Sequence, residues 1–383
     1  MSRNTMIFEQ NALLKKTVAD NQNQINELFA LYIHWPYCLS KCPYCDFASS
    51  VCKSPDESAL LTGYLRDLDI YRAQFGRPLT SIFFGGGTPS IMSAAFLKRL
   101  MNEIKGRFSF SNSIEITMEA NPDAIDADKM KAFKDCGINR LSIGVQSLRQ
   151  NDLQFLGRRH SVQTALQRIK KAGEIFSRVN MDLIYARPGQ TAIEWETELK
   201  EALDLGLSHY SLYQLTLEEG TPFYKQGIET PSEETARDLY ILTDEIMKKA
   251  DVPSYEVSNY AKAGQESIHN LTYWLGKDYL GIGPAAHGRI GLTATSSPTS
   301  VHEWLQNGPF IETLTSNERF EEKVLMGLRL THTPFPIKGL SKQGLNHALE
   351  LKWIEGLSDG IIPTLEGTLM LNELILMLLP NGL

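Results

Sequence analysis

Short apolar runs recur along the first 260 residues, each followed by a longer stretch whose apolar positions repeat at i, i+3 and i+4. The runs at 31–35, 81–84, 114–119, 140–145, 180–185 and 209–215 read as strands, and the stretches at 57–75, 93–105, 127–136, 161–176, 194–205 and 233–250 as helices. Gly137 and Gly206 stand where helix C-caps belong, each just before the next strand. Alternation of this kind predicts a parallel sheet covered on its outer face. A doubly wound open sheet and a TIM-type barrel with too few units to close both fit. The barrel is favoured because the unusual residues fall at or near the C-terminal ends of the strands, the face on which barrels build sites. Three cysteines follow the first run, and Gly85-Gly86-Gly87-Thr88-Pro89 follows the second. Glu119-Ala120-Asn121-Pro122 ends the third, Gln146-Ser147 ends the fourth, and Asp182 lies in the fifth.

Beyond residue 316 the pattern changes. Helices are expected at 317–330 and 341–351, a short third near 352–357, a hairpin over 360–371 turning near Glu366-Gly367, and a last helix at 372–379. The expected fold is thus α/β, a partial (β/α)6 TIM-type barrel with a small C-terminal α+β winged-helix-like domain. Its divisions are an N-terminal extension 1–27, the barrel 28–260, a segment and connection 261–316, and the C-terminal domain 317–383. Winged helices often serve on DNA, yet this segment has six Lys/Arg against eight acids, so no basic footprint marks it as a reader of nucleic acid. A lid or interaction module fits better.

Composition narrows the classes. The 383 residues are 42% hydrophobic and 22% charged, with 38 basic and 45 acidic side chains and a net charge of −7. That balance disfavours coating nucleic acid or an anionic membrane. No run of about 18 apolar residues is available to span a bilayer. With an odd number of cysteines and no secretory or Arg-rich transit segment at the start, the expected location is cytoplasmic.

The most specific chemistry lies in Cys38, Cys42 and Cys45, spaced Cys-x3-Cys-x2-Cys directly after the first strand. Three thiolates can hold three irons of a cubane and leave the fourth iron open to a small ligand. Zinc is the competing reading, but a closed zinc site needs a fourth ligand, and His34 lies only four residues before Cys38. The glycine turn reads either as a tight connection or as bare backbone whose N–H groups face a ligand. Glu119, Gln146, Asp182 and Arg158 each have an ordinary reading as a strand-end or surface polar residue.

Together, the tract from Tyr32 to Phe47, the glycine turn, Glu119-Ala-Asn-Pro, Gly144-Val-Gln-Ser147 and Asp182-Leu-Ile-Tyr185 resemble radical S-adenosylmethionine (SAM) enzymes. His269-Asn-Leu-Thr-Tyr-Trp274 and Tyr279 through His287 narrow the resemblance to the branch of the oxygen-independent coproporphyrinogen III oxidases. The resemblance implies a [4Fe–4S] cluster on Cys38, Cys42 and Cys45. It also implies that S-adenosyl-L-methionine chelates the open iron and is cleaved reductively to methionine and a 5′-deoxyadenosyl radical. Gly86, Gly87 and Thr88 would cradle the methionyl part, with Glu119 touching it and Arg158 pairing with its carboxylate. Gln146 and Asp182 would hold the ribose and Tyr44 the adenine, while Tyr32 approaches from the first strand. Thr216 is a weaker member. The chain departs from the usual pattern at Ala186 and Arg187, where Gly and Leu are expected, and Arg187 would add charge at the mouth of the site.

Asp46 and Phe47 follow the third cysteine, where the oxidases carry a further Cys two positions on. This resembles the HemW-type heme chaperones, which bind heme and deliver it to acceptor proteins; the alternative is oxidative decarboxylation of coproporphyrinogen III propionates to vinyls. The resemblance implies heme and heme-accepting apoproteins as partners; the charge balance speaks against nucleic acid, and pairing of two copies on cluster loading is left open. His269, beside Tyr273 and Trp274, is the candidate heme ligand, against a reading as a hydrogen-bonded corner of the fold. His287 reads as structural or SAM-adjacent, and His34 and His160 as supporting or capping residues.

Overall fold

The computed structural model describes residues 27–380, so all of the N-terminal extension but Glu27 lies outside the described residues. The strands in chain order are β1 (Phe29–Trp35), β2 (Tyr37–Cys38), β3 (Ser50–Val51), β4 (Pro78–Gly86), β5 (Ser109–Ala120), β6 (Arg140–Gln146), β7 (Arg178–Tyr185) and β8 (His209–Gln214). They continue with β9 (Asn259–Ala261), β10 (Asp278–Ile282), β11 (His287–Ile290), β12 (Thr293–Ser296), β13 (Phe310–Thr313), β14 (Ile354–Leu357) and β15 (Gly360–Pro363). The main sheet has 11 strands in the order β13-β12-β11-β10-β1-β4-β5-β6-β7-β8-β9. Its centre, β1-β4-β5-β6-β7-β8, is parallel throughout. This is the expected α/β partial barrel, with helices Glu57–Ile70, Ala94–Arg107, Ala127–Asp135, Val162–Ile175, Ala192–Leu203 and Glu233–Lys249 between or after its strands.

Period-two alternation divides the two faces of these strands. Leu31, Ile33, Trp35, Ile82, Phe84, Met118, Leu141, Ile143, Met181, Leu183 and Leu212 point outward and share one core with Leu60, Leu97, Phe133, Ile169 and Leu199 of the helices. The alternate positions, among them Tyr32, Ser81, Glu115, Glu119, Ser142, Asn180, Asp182, His209 and Ser211, face the lumen. That lumen is polar and largely self-satisfied: Asn180 Nδ2 donates to Ser142 Oγ at 2.7 Å and Ser211 Oγ at 2.9 Å, and Asn180 Oδ1 meets His209 Nδ1 at 2.6 Å. Helix starts are capped by Ser93, Asp126, Ser161, Thr191 and Ser232. Gly137 (φ 108°) and Gly206 (φ 69°) take left-handed backbone just after their helices, as C-caps do.

Residues 259–313 extend the sheet on both flanks. Strand β9 pairs antiparallel with β8, while β10 joins β1 in parallel and leads into the antiparallel ladder β11-β12-β13. The C-terminal unit has its own core, in which Val324, Ala348, Ile354, Ile361, Leu374 and Leu378 meet. Its hairpin differs from expectation. Residues 354–357 form β14 rather than a helix, the turn falls at Ser358-Asp359, and Leu365–Leu369 is helical. Thr364 decides this by accepting a hydrogen bond from Gly367 N, which starts a helix where the sequence reading continued the hairpin. Among the described residues no helix is long and apolar enough to cross a membrane.

Candidate functional site

The loop after β1 is fixed before any ligand is considered. Strands β2 and β3 close its base by pairing Tyr37 with Ser50 and Cys38 with Val51. Lys41 Nζ donates to the Phe47 and Ser49 carbonyls at 3.0 and 3.1 Å, and His34 Nε2 meets the Ala48 carbonyl at 2.8 Å. Pro43 packs on Gly157, where a Cβ would stand 2.6 Å from Pro43 Cδ, so only glycine (φ 68°) fits. Cys38, Cys42 and Cys45 thereby line one cleft of about 430 Å³ at the C-terminal end of the barrel.

The same cleft gathers Tyr44, Gly86, Gly87, Thr88, Glu119, Gln146, Arg158, Asp182 and Thr216. Motifs spread over some 180 positions of sequence thus meet in one place. Arg158 links the two sides: Nη1 donates to Cys42 Sγ at 3.4 Å, and Nη2 to Asn121 Oδ1 at 2.7 Å and the Gly144 carbonyl at 2.8 Å. Asn121 Nδ2 in turn donates to Thr88 Oγ1 at 3.3 Å. Asn121, quoted in the sequence only as part of a motif, is thus a site residue, and so is Tyr213 on the same wall. Asn-Pro directly after a strand was the available signal for the first; nothing in the pattern marks the second.

The glycine turn works differently from the reading that aims its N–H groups at a ligand. Gly87 N donates to the Trp35 carbonyl at 2.7 Å, Thr88 N to the Tyr37 carbonyl at 2.8 Å, and Gly86 N to the Glu119 carboxyl. A Cβ on Gly87 would stand 2.6 Å from Tyr37 O, and one on Gly86 2.8 Å from Trp35 O. The glycines are therefore demanded by close approach to β1 and β2, and the cleft receives the smooth wall that results.

Charge is distributed unevenly in the cleft. Arg158, half-buried, forms no ion pair among the described residues and is left to meet an anionic group. Burial, then the Asp182 charge, pushes the Glu119 carboxyl up to about 8, partly offset by Gly86 N–H and Arg140. Asp182 is raised by burial against hydrogen bonds from Ser211, Asn180 and Ser142. Gln146 takes left-handed backbone (φ 72°) at a bulge in β6, which turns its side chain toward Gly144. Burial pushes the Cys45 thiol up to about 11, against a hydrogen bond from the Phe47 backbone, with Cys42 and Cys38 raising it further. Among the described residues no three His, Cys, Asp or Glu donors close on a single ion. Three thiols on one wall beside an unpaired arginine fit a multi-iron cluster whose ligands sit on separate irons.

A second, more apolar cleft of about 460 Å³ adjoins the first and shares Phe47, Gly86 and Glu119 with it. Tyr32 belongs here, with its hydroxyl 3.0 Å from His34 Nδ1, and Tyr273, Trp274, Tyr279, His287 and Met326 complete much of the wall. His269 does not reach either cleft. It is buried, with Nδ1 at 3.1 Å from Ser81 Oγ, Nε2 at 2.7 Å from Tyr273 OH, and its backbone N–H on Glu115 at 3.1 Å. The ring stacks on Phe83 with centroids 4.9 Å apart. Burial, with Arg140 nearby, holds its imidazole down at about 3. Both ring nitrogens of His269 are thus engaged in this structure, and the His-Asn pair forms a hydrogen-bonded corner beneath the apolar cleft. His160 likewise braces the site from outside, with Nε2 3.1 Å from the Val145 carbonyl.

Arg187 also departs from expectation. It is buried, paired with Glu198 and Asp152, and bonded to the Ile184 carbonyl at 2.7 Å. Glu198 accepts from Ser147 Oγ and Leu148 N at 2.6 Å each, so this network holds the turn beyond Gln146 instead of charging the mouth. Ala186 takes left-handed backbone (φ 56°) where glycine is usual.

The radical SAM superfamily pattern matches residues 32–202. Heme chaperone HemW of Bacillus subtilis (strain 168) is 37% identical over 314 residues, covering 78% of this chain and 83% of that protein. Heme chaperone HemW of Escherichia coli (strain K12) is 39% identical over 265 residues, covering 68% and 70%. Radical S-adenosyl methionine domain-containing protein 1, mitochondrial, of Danio rerio is 38% identical over 268 residues, and this chain spans 60% of its length. Among solved structures, coproporphyrinogen III oxidase (HemN) from Escherichia coli superposes with a TM-score of 0.77 over 92% of this chain and 90% of that one, at 20% identity, a likeness of fold. Membership of the superfamily implies a [4Fe–4S] cluster and S-adenosylmethionine. With the three-cysteine loop and the strand-end residues brought to one cleft, the chain belongs to the radical SAM superfamily and, within it, to the family of the HemW proteins.

Proposed function

We propose that this protein is a heme chaperone that carries a [4Fe–4S] cluster and S-adenosylmethionine in one cleft and takes heme as cargo in the next. The carrying observation is that the thiol-lined cleft and the apolar aromatic cleft share Phe47, Gly86 and Glu119 as a common wall. The relatives named heme chaperone HemW support the same reading. A volume of about 460 Å³ suits a cofactor-sized ligand, for which clefts run ~300–1,000 Å³.

In this reading Cys38, Cys42 and Cys45 hold the cluster, which with S-adenosylmethionine bound supplies one-electron reductive chemistry at the sulfonium. Arg158 pairs with the ligand carboxylate, and Glu119 meets its cationic end once it has lost its proton. Gly86, Gly87 and Thr88 give the wall for the methionyl chain, Gln146 and Asp182 bind the ribose, Tyr44 covers the adenine, and Thr216 closes the rim. The division into a barrel at 28–260, a connecting segment at 261–316 and a C-terminal unit at 317–383 belongs to the proposal. The last acts as a lid, since Met326 lines the apolar cleft. Delivery to heme-free acceptor proteins, action in the cytoplasm and pairing of two copies on cluster loading complete it.

The test is anaerobic reconstitution followed by titration with hemin and transfer to a heme-free globin. A shifted Soret band and transfer are expected, and no Soret response would overturn the reading. Vinyl product from coproporphyrinogen III with dithionite and S-adenosylmethionine would move the protein to the oxidase class.

A further inference from the structure

We propose that a third crevice, lined by three lysines on the inner side of the C-terminal unit, binds an anionic amphiphile: one carboxylate or phosphate on a compact apolar body. The site goes beyond the heme reading and does not depend on it. The crevice, about 330 Å³, shares Trp274 with the apolar cleft and otherwise has its own walls. They come from the end of the helix Ile268–Trp274, the helix Ser316–Gly327 and the segment 330–338. Trp274, Phe320, Leu330 and Phe335 make it apolar. The charged side chains that line it are Lys277, Lys323 and Lys338, all cationic. In a chain of net charge −7, a lining of this one sign is complementary to an anion.

The acids next to these lysines in sequence are engaged elsewhere. Asp278 pairs with Arg77 at 3.0 Å, and Glu322 pairs with Arg289 at 2.8 Å and Arg319 at 3.1 Å. Burial, then the Lys323 charge, lowers the Lys277 pKa against the pull of Asp278, so like charges crowd one another here. The walls are preformed. Arg319 Nη2 donates to the Gly276 carbonyl at 2.8 Å, tying the two sides together, and Phe335 exchanges backbone hydrogen bonds with Ile361 at 2.7 and 2.9 Å. Gly276 (φ 60°) lets the Lys323 stem lie close, since a Cβ there would stand 2.8 Å from Lys323 Cγ. A site built in advance loses little freedom on binding. A peptide fits less well: Pro334 and Pro336 present no N–H, and Thr333 carries the single hydroxyl among the lining side chains, so a peptide backbone would find few partners. The lining suits a ligand whose polarity is gathered at one charged end.

The experiment is calorimetric titration of the full-length chain with decanoate, decyl phosphate and decanol, each kept monomeric. Both anions are expected to bind, the tighter one naming the head group, and decanol about tenfold or more weakly. Lys323→Gln combined with Lys338→Gln, both exposed positions, should weaken the anions about five- to tenfold, as the loss of two solvent-exposed ion contacts allows. Lys98→Gln, exposed on the helix Ala94–Arg107, should leave them unchanged. A terminally brominated decanoate should quench tryptophan emission, and Trp274→Phe should remove most of that quenching, which places the ligand. Equal affinity for decanol, undiminished binding in the paired lysine variant, or quenching that survives in Trp274→Phe each overturns the site. A pentapeptide of four glutamates and one phenylalanine should bind more weakly than decanoate; tighter binding would overturn the amphiphile in favour of a protein partner. None of these results bears on the heme reading, which the hemin titration tests separately.

Discussion

Glu115 and Glu119 lie on the same strand and the same lumen face, four residues or about 13 Å apart, yet their surroundings are opposite. At the floor, Glu115 takes Arg178 at 2.7 Å, Arg140 at 3.8 Å, Ser267 Oγ at 3.3 Å and the His269 N–H at 3.1 Å. At the mouth, Glu119 receives the Gly86 N–H, faces Asp182 and has no ion pair among the described residues. The arginines repeat the contrast: Arg178 is neutralised at the floor, while Arg158 waits unpaired at the mouth. Residue type does not separate a structural polar group from a functional one. For the charged groups a counter-charge does, because a buried ion already neutralised has little left to offer a charged ligand.

The sharpest way to break this contrast is to remove one group from each end. Cys42→Ala should reduce reconstituted cluster iron to background while leaving the unfolding midpoint close to wild type. An equal fall in midpoint would show that the mouth is structural. Glu115→Ala should do the reverse, costing about 3–5 kcal/mol of stability by chemical denaturation because it strands Arg140 and Arg178 without their partner. Retained stability would undo the saturated-floor argument.

His269→Gln should cost about 1–3 kcal/mol at neutral pH, through the unmatched Ser81 and Tyr273 hydroxyls. It should also change the pH dependence. In the folded protein this imidazole titrates at about 3, below its ordinary 6.5, so the unfolded chain binds the proton first. Wild-type stability therefore falls as pH drops from about 6.5 toward 3, with this residue contributing about 1.4 kcal/mol per unit. The variant should lack that contribution in urea titrations across the range.

A smaller effect is expected at Glu119. With its carboxyl at about 8 in the free protein, binding a cationic ligand must expel a proton below that pH. Calorimetric affinity for S-adenosylmethionine should then fall by up to about tenfold per unit as pH drops below 8, and Glu119→Gln should flatten the profile. A flat wild-type profile would remove this carboxylate from the ligand. Least of all, Ala186→Gly should shift stability by under about 1 kcal/mol, since relief of a left-handed alanine is offset by a freer unfolded chain. A loss above about 2 kcal/mol would show instead that the Ala186 methyl is packed.

Much of the barrel was legible because outward-facing strand positions are apolar and helices repeat every 3.6 residues, signals that survive in a linear chain. The cysteine spacing, the glycine turn and the strand-end acids were legible for a related reason: each is local, and the strand-helix rhythm predicts that strand ends share a face. What was not legible depended on distant pairing. The hydrogen bonds that hold His269 cannot be read from its own tract, because β4 supplies Ser81 and β5 supplies Glu115. Arg187 looks like a charge at the mouth until Glu198 of a neighbouring helix meets it. The C-terminal hairpin moved because the Thr364 cap outweighed the apolar run on either side of it.

By itself, then, the chain determined its repeating units, the loop that can hold a cluster, and the side chains that ring the strand ends, since periodicity and short motifs act through neighbours a few residues apart. Only the tertiary structure decided which polar groups are already satisfied, that the glycines answer to β1 and β2, and that a second cleft opens beside the first. Hydrogen-bond saturation and enclosed space belong to groups brought together from remote parts of the chain, and no local pattern contains them.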